Sequence, residues 1–208
     1  LWVKHMGGPS NDGGSSIAID SSGNIFTTGT FSHTVDFDPG TGVANLSSNP
    51  YTEAFVQKLD SNGNFLWANQ MGGTNSDGGT SIALDDSGNV YTTGYFSDTV
   101  DFDPGAAQNN LISNGSNDGF VQKLDSNGNL LWIRQIGGAG NESVKSLTLD
   151  LNNDLYVLGD FSGSVDFDPD TSVLSLTSSG SSDFFVLKYN ANGGFLWVKS
   201  AGSINSDG

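Results

Sequence analysis

The chain has 208 residues, enough for one sizeable domain or part of a larger one, and no cysteine, which excludes disulfide stapling and thiol chemistry. A hydrophobic fraction of 35% with 29 glycines reads as turn-rich, yet 13 phenylalanines and 4 tryptophans are too many for a disordered acidic polymer. Seven basic residues against 23 acidic ones give a net charge of -16, which excludes nucleic acid as a natural partner, and no apolar run approaches the ~20 residues needed for membrane insertion.

In chain order, Leu1 to Met6 reads as the closing strand of a preceding unit, so the chain reads as opening in mid-structure. A glycine-rich loop follows, and Ser16-Ile17-Ala18-Ile19-Asp20 is a short alternating strand. Ser21 to Asn24 is a turn, and Ile25 to Phe31 is a strand rich in β-branched and aromatic residues. An insertion holding Val35 to Gly40 and Ala44 to Ser47 adds a short hairpin or an edge segment. Ala54 to Leu59 is the third strand. Asn62-Gly63 then signals a hairpin in which both residues tolerate positive φ, and Phe65 to Gln70 is the fourth strand. No helical apolar period occurs anywhere.

The same order then repeats. Leu-Trp recurs at residues 1, 66, 131 and 196, a spacing of 65 with no gap. Gly7 to Met71 set against Gly72 to Ile136 gives 41 identities in 65 positions, and the third copy is more divergent. A four-stranded unit of this size cannot bury its faces alone, and radial stacking makes it a propeller blade. A linear solenoid is the alternative, but its repeats run to roughly 20–30 residues. The expected fold class is therefore all-β: β-propeller blades built as four-stranded antiparallel units. About three blades are present, as part of a larger propeller, because rings close with about 4–8 blades. The expected divisions are 1–8 as the last strand of a preceding blade, 9–73, 74–138 and 139–203 as blades, and 204–208 as the start of a next unit.

Gly72-Gly-Thr-Asn-Ser-Asp-Gly-Gly79, Ser81-Ile-Ala-Leu-Asp85 and Gly88-Asn-Val-Tyr-Thr-Thr-Gly-Tyr-Phe96 fall in order at fixed spacing. So do Val100-Asp-Phe-Asp-Pro-Gly105, Asp118 to Asp125 and Leu131-Trp132. Together they resemble the bacterial SBBP repeat, named for a seven-bladed β-propeller, in the long form found in surface and secreted proteins of Bacteroidota. The resemblance covers essentially the whole chain. It implies the propeller fold and an extracellular or cell-surface location. Its implied partners are other blades of a larger chain, proteins at the cell surface, or glycans. Unit three departs from the pattern at Glu142-Ser143-Val144 and at Asn153-Asp154.

Four repeated constellations could carry chemistry. Asp36 and Asp38, Asp101 and Asp103, and Asp166 and Asp168 are spaced i, i+2. On an extended strand that spacing converges two carboxylates on one face, as oxygen ligands for Ca²⁺. The alternative is that one Asp caps the turn at the following proline while the other faces water. Asp60-x-Asn62-x-Asn64 and its copy at Asp125 resemble the start of a calcium loop, but Met71 and Ile136 stand where a bidentate acid is needed, which favours a hairpin. The acids Asp12, Asp77, Glu142 and Asp207 in the glycine-rich loops either bind a ligand or anchor loop amides, anchoring being the preferred reading. Trp2, Trp67, Trp132 and Trp197 could stack on sugars, but one per unit beside Leu favours buried packing between blades. His5 and His33 do not recur, and neither a nucleophile elbow nor a phosphate loop is present. Gly137-Gly138-Ala139-Gly140 opens no helix, which defeats a dinucleotide reading. The expectation is a non-enzymatic scaffold or interaction module, with a multivalent lectin as the alternative and an enzyme with its site in other blades as a third.

Overall fold

The computed structural model describes residues 1–48, 51–168 and 173–204, and among them there is no helix. The first unit contains β1 (Gly13–Ile19), β2 (Ile25–Phe31), β3 (Thr34–Asp36), β4 (Asn45–Ser47), β5 (Glu53–Leu59) and β6 (Phe65–Gly73). The second contains β7 (Gly78–Leu84), β8 (Val90–Phe96), β9 (Thr99–Asp101), β10 (Asn110–Ile112), β11 (Asp118–Leu124) and β12 (Leu130–Ile136). The third contains β13 (Ser143–Leu149), β14 (Leu155–Phe161), β15 (Ser164–Asp166), β16 (Ser175–Thr177), β17 (Asp183–Tyr189) and β18 (Phe195–Ala201). The orders β1-β2-β5-β6, β7-β8-β11-β12 and β13-β14-β17-β18 are three four-stranded antiparallel blades. The short pairs β3-β4, β9-β10 and β15-β16 are hairpins, and β9-β10 also extends the edge of the first blade's sheet by pairing with β6 at Gly72 and Gly73, so the insertion is both a hairpin and an edge segment.

The second strand falls where the sequence places it, and the first begins three residues earlier. Gly13 and Gly14 continue the ladder against Thr30 and Gly29 through a bulge before Ser16. That close approach explains the recurring glycine of the second strand, since a Cβ on Gly29 or Gly94 would lie 1.9 Å from the carbonyl oxygen of Gly13 or Gly78. The turn at Asp60 also differs from expectation: Gly63 alone is left-handed, at φ 78, and Asn62 is not. Gly63 N–H bonds to Asp60 O and Asp60 N–H to Asn64 O, a tight turn closed by a glycine bulge.

The inserted hairpin is a core element. Phe31, Phe37 and Phe55 pack edge-on or tilted, with ring centroids 5.0–6.5 Å apart. Phe96, Phe102 and Phe120 do the same in blade 2, and Phe161, Phe167 and Phe185 in blade 3. The Val-Asp-Phe-Asp-Pro motif therefore buries Val35 and Phe37, Val100 and Phe102, and Val165 and Phe167.

Adjacent blades are latched. Lys58 lies 4.9 Å over the Phe26 ring and donates to Ser126 O of the next blade at 2.9 Å. Trp67 Nε1 donates to the same carbonyl and Asn69 Nδ2 to Gly128 O. Blades 2 and 3 repeat this: Lys123 and Trp132 donate to Ala191 O, and Arg134 to Gly193 O. Trp67 and Trp132 thus pack between blades as expected, each against a turn glycine of the next blade, but half-buried rather than buried. Residues 1–6 form no ladder within this chain; Trp2 and Lys4 lie against the Gly63 turn, 3.1 Å from where a Cβ would sit. The expected next unit falls mostly, and Asp207 wholly, outside the described residues.

Candidate functional site

The glycine-rich loops, the inserted hairpins and the starts of the third strands gather at one end of the blades. Each loop acid joins two segments there. Asp12 accepts Gly8 N–H and Ser32 N–H, Asp77 accepts Gly73 N–H and Ser97 N–H, and Glu142 accepts Gly138 N–H and Ser162 N–H. This is loop anchoring. Burial pushes the Asp77 carboxyl up to about 7 against the pull of its amides, and Glu53 and Asp98 nearby push the same way. Burial also raises Glu142, with a further contribution from Asp118. Glu53, Asp118 and Asp183, at equivalent starts of the third strands, are themselves buried, and sequence reasoning passed over them. The signal was available: each stands where a Cβ on Gly72, Gly137 or Gly202 would collide with its carboxylate, so the acid and the glycine recur together.

In each paired motif the first aspartate accepts the backbone amide of the second. β3, β9 and β15 end at Asp36, Asp101 and Asp166, so Asp38, Asp103 and Asp168 lie beyond the strands, where the alternation of faces no longer runs. Asp36 Oδ1 accepts the amides of Asp38 and Ala44 at 3.0 and 2.8 Å. Those bonds hold its carboxyl below the usual carboxylate range. Asp101 accepts Asp103 and Asn109 amides, and Asp166 accepts Asp168 and Leu174 amides. Asp38 and Asp103 cap their own turns at Gly40 and Gly105. Among the described residues no three His, Cys, Asp or Glu side chains gather as a metal cluster would require. Asp60 and Asp125, the second metal candidates, accept the amides of Asn62 and Asn64 and of Asn127 and Asn129. They are hairpin caps.

A polar groove lies between blades 1 and 2 at this end, lined by Ser10, Asn11, Ser32, His33, Tyr51, Thr52 and Ser76. Ser10 Oγ and His33 Nδ1 are 2.9 Å apart, the geometry of a nucleophile and its base. The equivalent residues of blade 2, Asn75 and Asp98, also bond to each other, and those of blade 3 are Gly140 and Gly163. His33, Asp98 and Gly163 all have positive φ, so the Ser10–His33 pair ties a loop to a strained corner.

The repeated segment from Leu-Trp through the glycine-rich loop into the second strand is also where a family model, described as a β-propeller repeat and named SBBP, matches, at residues 1–30 and 66–95. These two stretches match the SBBP β-propeller repeat. An uncharacterised WD repeat-containing protein of Acanthamoeba polyphaga mimivirus is 29% identical over 234 residues, covering 99% of this chain and 17% of that protein. The regulatory protein FlaEY of Caulobacter vibrioides is 28% identical over 154 residues, covering 72% of this chain and 16% of that protein. The chain therefore spans about a sixth of the length of these curated relatives. Among solved structures, a protein of unknown function from Bacteroides caccae covers 90% of this chain and 81% of its own, with a TM-score of 0.30 and 10% identity.

Proposed function

We propose that this chain is a non-catalytic propeller segment that serves as a scaffold and interaction module of a larger secreted or cell-surface protein. The observation that carries this reading is the fate of the repeated acids: within the described residues, those of the loops, turns and paired motifs accept backbone amides. What differs between units is concentrated at the loop end, where Ser10, His33 and Tyr51 of blade 1 correspond to Asn75, Asp98 and Ser116 of blade 2. Loop positions whose side chains change from unit to unit while the fold repeats suit recognition of a partner. The test is proximity labelling on intact source cells, comparing the wild-type protein with one carrying Ser10→Ala, His33→Ala and Tyr51→Ala. The reading expects labelled protein neighbours that the triple variant loses. Identical neighbours for both forms, or a chain shielded from added protease on intact cells, would overturn it.

A carbohydrate ligand is the second reading. It is favoured by the hydroxyl- and amide-lined groove with Tyr51 half-exposed at its rim. Titration calorimetry with hexoses at millimolar concentration, repeated on Tyr51→Ala, separates it from the protein-partner reading.

A further inference from the structure

We infer that the Asn114-Gly115 pair is a site of spontaneous covalent modification, deamidation to aspartate or isoaspartate, and that the change loosens the seam between blades 2 and 3. Four Asn-Gly pairs occur in the sequence, with asparagine at 62, 114, 127 and 192. In each, the following glycine puts no side chain in the way of ring closure. All four asparagines are exposed, so access to water does not separate them. In the reaction the glycine nitrogen gives up its proton and attacks the asparagine Cγ. The bond from Cγ to Nδ2 breaks and ammonia leaves. Water then opens the five-membered succinimide at either carbonyl.

The glycine N–H is what separates the four. Gly63, Gly128 and Gly193 are buried, and each donates to the carbonyl of the residue that opens its turn, Asp60, Asp125 or Asn190, at 2.9–3.0 Å. A nitrogen held in that way has to wait for the turn to open before it can lose its proton and reach the asparagine. Gly115 is half-buried, and among the described residues its N–H donates no hydrogen bond. Nor can this glycine be exchanged for a slower residue, because a Cβ on it would lie 2.1 Å from Gly140 O of blade 3. The close approach that makes the seam therefore also fixes the reactive pair. The equivalent positions of the other units are closed to the reaction by their sequence: Asn49 precedes Pro50, which has no N–H, and Ser179 has no amide.

The position gives the change a consequence. The Asn114 N–H and Nδ2 both donate to the carboxylate of Asp118, which is fully buried. Conversion replaces the Nδ2 donor with an acid that faces a buried acid, which removes a hydrogen bond and adds repulsion. Just beyond, Ser116 N–H donates to Gly140 O and Glu142 N–H to Asn117 O, each at 2.9 Å. These bonds tie blade 2 to blade 3, and isoaspartate adds a carbon to the main chain immediately before them.

The experiment is peptide mapping by mass spectrometry of the full chain after incubation in mildly alkaline buffer, which favours the deprotonated nitrogen. Conversion of amide to acid is expected at Asn114 roughly tenfold or more faster than at Asn62, Asn127 and Asn192. In urea, where the turns are open, the four rates converge. Equal rates in the folded chain, a hairpin asparagine that converts first, or an undiminished lead for Asn114 in urea would overturn the site. Asn114→Asp isolates the consequence: amide exchange in the 138–142 loop accelerates, while exchange in the 60–64 turn does not change. Asn114→Ser copies Ser179, whose N–H bonds to Asp183 as that of Asn114 bonds to Asp118, and it keeps the wild-type exchange rate. Exchange unaltered by Asn114→Asp, accelerated alike in both segments, or accelerated as much by Asn114→Ser would overturn the loosening of the seam.

Discussion

A buried carboxylate with no cation beside it has to be held by amides, and Asp77 shows what that arrangement costs. Its two amide bonds favour the anion, but burial outweighs them and pushes the carboxyl up to about 7. The folded chain therefore binds the Asp77 proton more tightly than the unfolded chain does. The stabilising contribution is full below the unfolded value of 3.8 and is lost as pH rises through about 7. The turn aspartates act in the opposite sense and in another window. At Asp60 the amide and side chain of Asn64 hold the carboxyl low, so its contribution is present above the ordinary carboxylate value and disappears only in stronger acid. Between about pH 4 and 7 the buried acids dominate. Thermal unfolding across that window is expected to show falling stability with rising pH, with a shallower slope for Asp77→Asn. An unchanged slope would mean that Asp77 ionises in the folded chain as it does in the unfolded one.

Glycine at a left-handed corner matters for two separable reasons, and two positions separate them. Gly163 has φ 70, a Cβ there would meet nothing within 4 Å, and the equivalent corners hold His33 and Asp98. Gly163→Asp is expected to cost under about 1 kcal/mol. Gly128 has φ 87, and a Cβ would lie 2.8 Å from Asn69 Nδ2 and 3.3 Å from the Trp67 ring of the preceding blade. Gly128→Ala adds displaced latch contacts to the backbone cost, about 2 kcal/mol or more in all. Urea midpoints at constant slope compare the two directly.

At the scale of the element, the latch couples one blade to the next through bonds at a constant sequence offset of 59 residues, from Trp67 and Asn69 and again from Trp132 and Arg134. Truncating Trp132 removes a ring contact with Tyr91, an indole bond to Ala191 O and the partner stacked under Arg134. The ring is half-buried, so Trp132→Ala should cost about 2–3 kcal/mol, below the range for a fully buried tryptophan. Amide exchange in the 190–194 turn should accelerate more than in the equivalent 60–64 turn, and uniform acceleration would argue against a local latch. The four strands of each unit were legible because alternation and turn chemistry are local signals, and the second strand matched to the residue. The latch was not, since no local pattern says which carbonyl a tryptophan 59 residues away will reach. The Val-Asp-Phe-Asp-Pro motif was legible only in part for a related reason: its aspartates announce chemistry, while the role of its phenylalanine, buried in a three-ring cluster, depends on rings distant in sequence.

For the molecule as a whole, the net charge of -16 has to be reconciled with a compact stack of blades. Few cations are available to offset it, and four of them, Lys58, Lys123, Arg134 and Lys188, sit in latches, where they meet turn carbonyls, ring faces or neighbouring acids. The remaining acids repel one another across the surface, and that repulsion is screened over about 10 Å at 0.1 M salt. Raising NaCl from about 0.02 to 0.5 M should therefore raise the melting temperature by several degrees. The same experiment bears on the paired aspartates. If they serve as turn caps, as the amide bonds to Asp36, Asp101 and Asp166 indicate, CaCl₂ and NaCl at equal ionic strength stabilise the chain equally. A specific metal site would instead give a saturable extra rise with CaCl₂ at low concentration, because a ligand that binds only the folded chain stabilises it by mass action. That extra rise should then vanish in Asp36→Asn combined with Asp101→Asn and Asp166→Asn. The uncharged substitutions keep an oxygen to accept an amide but remove the charge that a hard cation needs.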